Sequence, residues 1–210
     1  LAGVVDISGE TPVELSGVDR AGFYSTLSPD ANLMLASSDT GALDLWDAET
    51  GVWLNKQQFT DVTLTQPDWS PSGSQIVAVD AEQLSGECCF SRGRLVLLSV
   101  DESGNLGEPT LLYAPVDERE NTVNVFYPTF SPDGRWIAFN MGLGNSYDNE
   151  NAQLFVISVD GGDPIALTAA NYGEGLTNSW PRWGPLPDDN VFWLTFDSKR
   201  PYGNLITDGR

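Results

Sequence analysis

The chain has 210 residues, of which 40% are hydrophobic and 10% aromatic, which is enough apolar material for a packed core and excludes a disordered polypeptide. Its 30 acidic and 10 basic residues give a net charge of −20, so nucleic acid and anionic membranes are not expected partners. The chain contains no histidine, which excludes a serine–histidine–aspartate triad and the commonest metal ligand. No apolar run approaches the roughly 18 residues of a membrane span, so membrane insertion is not expected.

Two short strands are predicted at the start of the chain, at residues 4–7 and 12–15. The polar segment 8–10 is the turn between them. Because no complete repeat begins there, residues 1–20 are interpreted as part of an incomplete unit.

The clearest unit of the chain lies at residues 127–140 and reads as strand, tight turn, strand. Phe130 ends the first strand, and Ser131–Pro–Asp–Gly134 has the residues that a tight turn requires. The apolar run 136–139 is typical of a buried strand.

The same turn recurs along the chain, marked by Pro29, Pro71, Pro132 and Pro185. The first interval, from Pro29 to Pro71, has the period of a four-stranded propeller blade. Loops at 80–93, 115–125 and 142–151 account for the two longer intervals. The predicted units are a partial blade at 1–20, blades at 21–63, 64–114 and 125–168, and a partial blade at 178–210. A β-sandwich, the alternative, predicts no fixed order of turn motifs.

Two stretches carry a resemblance to a known repeat: 128–134, Pro-Thr-Phe-Ser-Pro-Asp-Gly, and 67–73, Pro-Asp-Trp-Ser-Pro-Ser-Gly. They resemble the turn of TolB-like, or PD40 (WD40-like), β-propeller repeats. The turn at 181–185 is looser, and the turn at 28–31 lacks the glycine. The resemblance implies an all-β fold of four-stranded antiparallel blades.

The strand count predicts three complete and two partial blades, fewer than such rings usually contain. We therefore expect the chain to belong to a larger six- to eight-bladed ring, whose remainder lies on the same or on a cleaved chain. Leu1 in place of an initiator methionine and the final Arg210 agree with a processed piece. A closed four-bladed ring is the competing interpretation, and the intact mass of the natural protein distinguishes the two.

For function, the sequence predicts a non-catalytic, periplasmic or secreted module that binds a protein or peptide or serves as a scaffold. No nucleophile elbow, Walker loop or dinucleotide-binding motif is present, so no enzyme activity and no cofactor is expected. The resemblance allows an alternative, the regulatory propeller of a larger serine peptidase or hydrolase. A structural component of an extracellular assembly is the second alternative, suggested by the acidity. Downstream sequence discriminates: a nucleophile elbow favours the hydrolase, and further Ser-Pro-Asp-Gly units favour the plain propeller.

The candidate ligand-binding residues come from the first strand of each unit, which lies beside the central channel of a propeller. The position before the strand proline and the position two residues later supply Tyr24, Gln66, Asp68, Tyr127, Trp180 and Arg182. Aromatic side chains at a channel mouth suit a peptide or small ligand. The alternative is that they close the channel and only pack.

The adjacent cysteines, Cys88 and Cys89, lie in the predicted loop 80–93. Three states are open: a bridge between the two neighbours, separate bridges to cysteines outside the chain, or free thiols. An extracytoplasmic location favours oxidation, and the bridge between neighbours is preferred.

A polar segment at 145–151 clusters oxygen-bearing side chains. Asp148 and Glu150, with an asparagine carbonyl, are of the type that Ca²⁺ prefers. The spacing does not match an EF-hand, and a solvated polar loop is the alternative.

Overall fold

The computed structural model of the chain describes residues 4–6, 9, 11–15, 24–38, 40–54, 59, 61–85, 88–101, 103–116, 123–173, 175–184 and 191–200. Over these ranges it contains fifteen β-strands and no helix. The described part of the chain thus holds no helix with the length and hydropathy of a membrane span.

Every sheet is antiparallel, and its strands follow one another in chain order. The first two strands, β1 (Val4–Asp6) and β2 (Val13–Leu15), pair as a hairpin. The next sheet has three strands, β3 (Ser25–Leu27), β4 (Leu33–Ser37) and β5 (Leu43–Asp47). A fourth strand predicted within 52–59 is represented by an isolated bridge from Trp46 to Trp53, and residues 55–58 lie outside the described part.

Two complete four-stranded sheets follow. One contains β6 (Leu64–Trp69), β7 (Gln75–Ser85), β8 (Cys89–Ser99) and β9 (Thr110–Tyr113). The other contains β10 (Val123–Phe130), β11 (Trp136–Leu143), β12 (Gln153–Ser158) and β13 (Ile165–Ala166). The last pair is β14 (Asn178–Trp183) with β15 (Leu194–Ser198). We call these sheets blades and number them from the one that begins with β3.

The turn between the first two strands of a blade is held by its serine. The Ser131 hydroxyl accepts the Trp136 N–H at 3.0 Å and donates to Asp133 at 2.6 Å. Gly134 takes a φ of 70°, which glycine adopts at little cost. In the first blade Ala31 occupies the glycine position and still adopts a φ of 58°. The turn geometry therefore survives where the sequence motif is incomplete.

The interval 80–93 is not the loop that the sequence predicts. β7 and β8 continue through it as a long hairpin, with Ala81 paired to Gly93 and Glu82 to Ser91. Near its tip Phe90 is 1% exposed. The polar composition misled the prediction because the hairpin packs against the third blade instead of extending into solvent.

The core lies between neighbouring blades. One cluster joins the second and third blades through side chains such as Phe90, Phe126 and Phe139, all nearly inaccessible to solvent. A second cluster joins the first and second blades around Leu35, Trp69 and Ile76. Each blade therefore buries its apolar side chains against the next, as stacked blades must.

Candidate functional site

The first strands of three successive units carry the same irregularity. The pairing register of β6 shifts between Thr65 and Asp68, and β10 and β14 shift at the equivalent positions. The residue within each shift adopts a left-handed φ: 51° at Gln66, 54° at Tyr127 and 56° at Trp180. A β-bulge of this kind bends the strand and redirects a side chain.

Each of these bulge residues precedes a proline, and proline has no N–H to give to the sheet. The bulge interrupts the ladder of backbone hydrogen bonds. Because the proline has no N–H, the interruption leaves fewer backbone donors unpaired. The first unit has Ser25 after Tyr24 in place of the proline, and its strand pairs with β4 in continuous register. Left-handed backbone at non-glycine residues is costly, and such positions cluster at functional sites.

The rings of Tyr127 and Trp180 contact the ring of Tyr24 in the first blade. Tyr127 and Trp180 stack face to face, with ring centroids 4.8 Å apart and planes 3° from parallel. Tyr24 contacts both rings, with centroids at 5.9 Å from Tyr127 and 6.5 Å from Trp180. Trp180 remains 39% exposed, whereas the two tyrosines are buried. The cluster thus has one accessible ring, that of Trp180, which packs on two buried tyrosine rings.

Side chains of preceding blades hold the bulges in place. Gln66 Oε1 accepts the backbone N–H of Tyr127 at 2.6 Å, and Asn140 Oδ1 accepts that of Trp180 at 2.9 Å. The Tyr24 hydroxyl donates to the carbonyl of Cys88 at 3.2 Å and lies 3.4 Å from the Tyr127 hydroxyl. Burial is the main reason that the pKa of Tyr127 is raised, so its phenol stays protonated.

The equivalent positions of all four units surround one cavity of about 140 Å³, called the aromatic cavity below. Five of the six predicted residues line it, namely Tyr24, Gln66, Tyr127, Trp180 and Arg182. The residues that follow the aromatic and glutamine positions, Ser25, Pro67 and Pro128, also line it and were not among the predicted site residues. Their position in the repeat, next to the predicted ones, is the signal that could have found them.

Asp68 does not line the aromatic cavity but turns to the third blade. Its Oδ2 accepts the backbone N–H of Phe130 at 2.8 Å. Burial raises the pKa of the Asp68 carboxyl above its usual value. The Phe130 N–H, the charge of Arg182 and the hydroxyls of Thr129 and Thr26 only partly counteract this rise. Asp68 therefore bridges two neighbouring blades.

We expect Asp68→Asn to raise the melting temperature at pH 7 and to leave it nearly unchanged at pH 3. A carboxyl whose pKa is raised by folding stabilises the folded state at pH below its unfolded pKa, and that contribution is lost as the pH rises through the folded pKa. The asparagine Oδ1 still accepts the Phe130 N–H but never ionises. Thermal melts of both proteins from pH 3 to 8 test this. A difference that is constant with pH would contradict it.

A second cavity of about 480 Å³ shares Tyr127 and Trp180 with the aromatic cavity, and we call it the outer cavity. Its wall includes both rings of the stack together with Tyr147, Asp197 and Lys199. A volume of this size is in the range of small-ligand pockets. The sequence did not indicate it, because Tyr147 and β15 are brought together only by the packing of the third and fourth units.

Cys88 and Cys89 are joined by a disulfide between neighbours, with Cα atoms 3.7 Å apart. They lie at the tip of the β7–β8 hairpin, and the Cys88 carbonyl is the acceptor for the Tyr24 hydroxyl. The hairpin, which belongs to the second blade, thereby holds Tyr24 of the first blade in place.

The predicted calcium ligands lie on the polar segment 145–151. Asp148 and Glu150 are exposed, and no group of three acidic, cysteine or histidine side chains that could hold a metal occurs among the described residues. Asn149 points inwards and donates to the carbonyls of Leu143 and Asn145. The oxygen-rich segment is thus organised by its own hydrogen bonds, and Asp148 contributes to the wall of the outer cavity.

No protein-family model and no curated protein sequence matches the chain. Solved structures do match. A TolB-type protein of Agrobacterium tumefaciens is 20% identical with a TM-score of 0.57, over 91% of this chain and 60% of that one. The Swd1 β-propeller domain of Myceliophteria thermophila is 16% identical with a TM-score of 0.51, over 78% of this chain and 51% of that one. A prolyl endopeptidase is 12% identical with a TM-score of 0.54, over 82% of this chain and 26% of that one.

These similarities and the four-stranded blades confirm the predicted fold: the chain is all-β and forms part of a β-propeller. It spans 60% or less of each of these three proteins. Identities at this level show the fold alone.

Proposed function

We propose that the chain is a non-catalytic binding module, a propeller that holds a peptide segment of a partner protein at the aromatic cavity. The observation that carries the proposal is the convergence of Tyr24, Tyr127 and Trp180 on one cavity by equivalent positions of the repeat. Trp180 offers an accessible ring, and aromatic anchors carry much of the energy of peptide recognition.

The bulges support a binding role over mere packing. Three non-glycine residues keep a costly left-handed backbone at equivalent positions, and side chains of preceding blades hold the Tyr127 and Trp180 bulges. The rings are therefore fixed before any ligand arrives. A preorganised site saves the entropy that a flexible one loses on binding.

We place this module outside the cytoplasm. The disulfide between Cys88 and Cys89 supports that location, because structural disulfides persist in oxidising compartments. The net charge of −20 favours solubility in such a setting. Mass spectrometry of the protein purified from its native compartment without reducing agent, after thiol labelling, is expected to show no labelled cysteine.

We expect Trp180→Ala to weaken peptide binding at least about tenfold, as is usual for a central aromatic anchor. A phage-displayed peptide library is selected on the wild-type protein, and dissociation constants of the selected peptides are measured by calorimetry. Trp193→Ala is the matched control, because Trp193 lies in the same unit, is 65% exposed and does not line either cavity.

Trp180→Phe keeps an aromatic ring and is expected to retain most of the affinity, which separates the anchor from a general loss of structure. The proposal fails if no peptide is enriched. It also fails if the enriched peptides bind the alanine variant as tightly as they bind the wild type.

A further inference from the structure

The side chain of Gln66 has a donor without a partner. It is 4% exposed and lines the aromatic cavity. Its oxygen is identified by the contact with Tyr127, because a backbone N–H can only donate and lies 2.6 Å away. The amide nitrogen, Nε2, is buried and has no acceptor among the described residues. Buried polar groups are nearly always paired, so an oxygen placed in the cavity would supply what is missing.

Arg182 brings the second donor to the same cavity. Its side chain is exposed, and no described carboxylate lies within ion-pair distance of it. Asp68 is the nearby charge, but its oxygens already receive the Phe130 N–H and threonine hydroxyls from two blades. The guanidinium, with five N–H donors in a planar fork, therefore keeps donors for a ligand.

Two residues of the cavity wall, Gln66 and Arg182, thus carry donors without an internal acceptor, and one of them is cationic. The Ser25 hydroxyl, also in the wall, can donate as well. A carboxylate is the group that matches an amide N–H beside a guanidinium. The volume of about 140 Å³ admits the end of a chain but not a whole peptide. The aromatic stack forms a wall for the apolar part of such an end.

Resting on the proposed function, we propose that the aromatic cavity binds the carboxylate of its peptide ligand, with Gln66 Nε2 and Arg182 as the donors. The carboxylate can come from the free C-terminus or from an acidic side chain. The cavity recognises the chemistry that the two share, and the probes below separate the sources.

Three probes are titrated by calorimetry and by NMR of the Gln66 side-chain amide: N-acetylphenylalanine, its C-terminal amide, and the α-amide of N-acetylglutamate. We expect the carboxylate of N-acetylphenylalanine to bind at least about tenfold more tightly than its amide. Tight binding of the glutamate α-amide assigns the source to a side chain, and weak binding assigns it to the C-terminus.

Gln66→Glu is the sharpest variant, because the introduced carboxylate still accepts the Tyr127 N–H but has no N–H to donate and repels a carboxylate ligand. Arg182→Gln removes the charge at an exposed position and keeps the fold testable if the first variant is unstable. Each is expected to lower the preference for acid over amide to less than about threefold. Arg135→Gln, at an exposed arginine outside the cavity, is the matched control and is expected to keep the preference.

Equal binding of acid and amide, lost in Trp180→Ala, would overturn the carboxylate assignment and leave the binding module standing. Failure of all three probes to bind at millimolar concentration would also overturn the assignment, whereas the proposed function is decided separately by the selected peptides. A preference for the acid that persists in both Gln66→Glu and Arg182→Gln would place the carboxylate elsewhere.

Discussion

Gly93→Ala is expected to destabilise the protein by about 3 kcal/mol, at the upper end of the usual cost of overpacking. A Cβ at Gly93 would overlap the backbone oxygen of Val125 and would lie 2.7 Å from Val79 Cγ1 and 2.8 Å from Phe90 Cε2. The Val125 oxygen belongs to the next blade and cannot rotate away as a side-chain end could. The β7–β8 hairpin must therefore move away from β10.

That movement also breaks a buried hydrogen bond. The Gly93 N–H donates to Asn124 Oδ1 at 2.7 Å, and the same side chain donates to the carbonyls of Phe90 and Gly144. Separating the hairpin from β10 leaves these groups with poorer partners, which adds to the steric cost. The substitution tests whether the long hairpin is an integral part of the blade interface.

The measurement is urea denaturation followed by tryptophan fluorescence, with the free energy of unfolding taken from the midpoint and slope. Gly184→Ala is the control. A Cβ there would meet Trp193 at 3.4 Å and 3.5 Å, which is ordinary contact or close to it, and its cost is expected to stay within about 0.5 kcal/mol. A Gly93→Ala variant as stable as the control would show that the hairpin packs loosely on the third blade.

The sequence revealed the fold because its strongest signals are local. Turn chemistry at Ser131 and Gly134 depends on residues a few positions apart, and the structure realises it with the hydroxyl and the positive φ that the motif implies. Aligning the units on that turn then placed equivalent residues together. The convergence of Tyr24, Tyr127 and Trp180 on one cavity is a consequence of the repeat itself.

The features that the sequence did not reveal depend on contacts between blades. The hairpin at 80–93 looked like a loop because its polar residues give no strand pattern, yet Phe90 is buried against the third blade. The contact of Asp68 with the third blade was not foreseen, because its partner is a backbone N–H 62 positions away in the chain. The bulges were missed because a residue before proline normally favours extended backbone.

Buried asparagines form hydrogen bonds across the blade interfaces, and the sequence did not indicate these bonds. Asn124 and Asn140 are fully buried, and each bonds to backbone groups of segments that are distant in the chain. An amide can donate and accept at once, so one side chain satisfies a carbonyl and an N–H that no strand ladder reaches. In the sequence these residues look like ordinary polar positions beside apolar runs.

Asn140→Ala is expected to lower the free energy of unfolding by about 3 kcal/mol. Asn140 Nδ2 donates to the carbonyls of Asn178 at 2.8 Å and Gln153 at 3.1 Å, and its Oδ1 accepts the Trp180 N–H. Alanine leaves one buried and two partly buried backbone groups without their partner, and a buried group left in this way costs about 1–3 kcal/mol. Asn151→Ala, at an exposed asparagine in the same unit, is the control and is expected to cost less than about 0.5 kcal/mol.

Because Asn140 holds the bulge of Trp180, its loss is expected to weaken peptide binding as well as stability, while Asn151→Ala changes neither. Asn140→Asp separates the two halves of the amide, since it keeps the acceptor for the Trp180 N–H and loses both donors. A buried carboxylate is costly to ionise, so this variant should lose stability further as the pH rises from 4 to 7. If Asn140→Ala unfolds less than about 1 kcal/mol more easily than wild type, the asparagine does not fix the geometry of the aromatic cavity, and the preorganisation of Trp180 must come from its stacking on Tyr127.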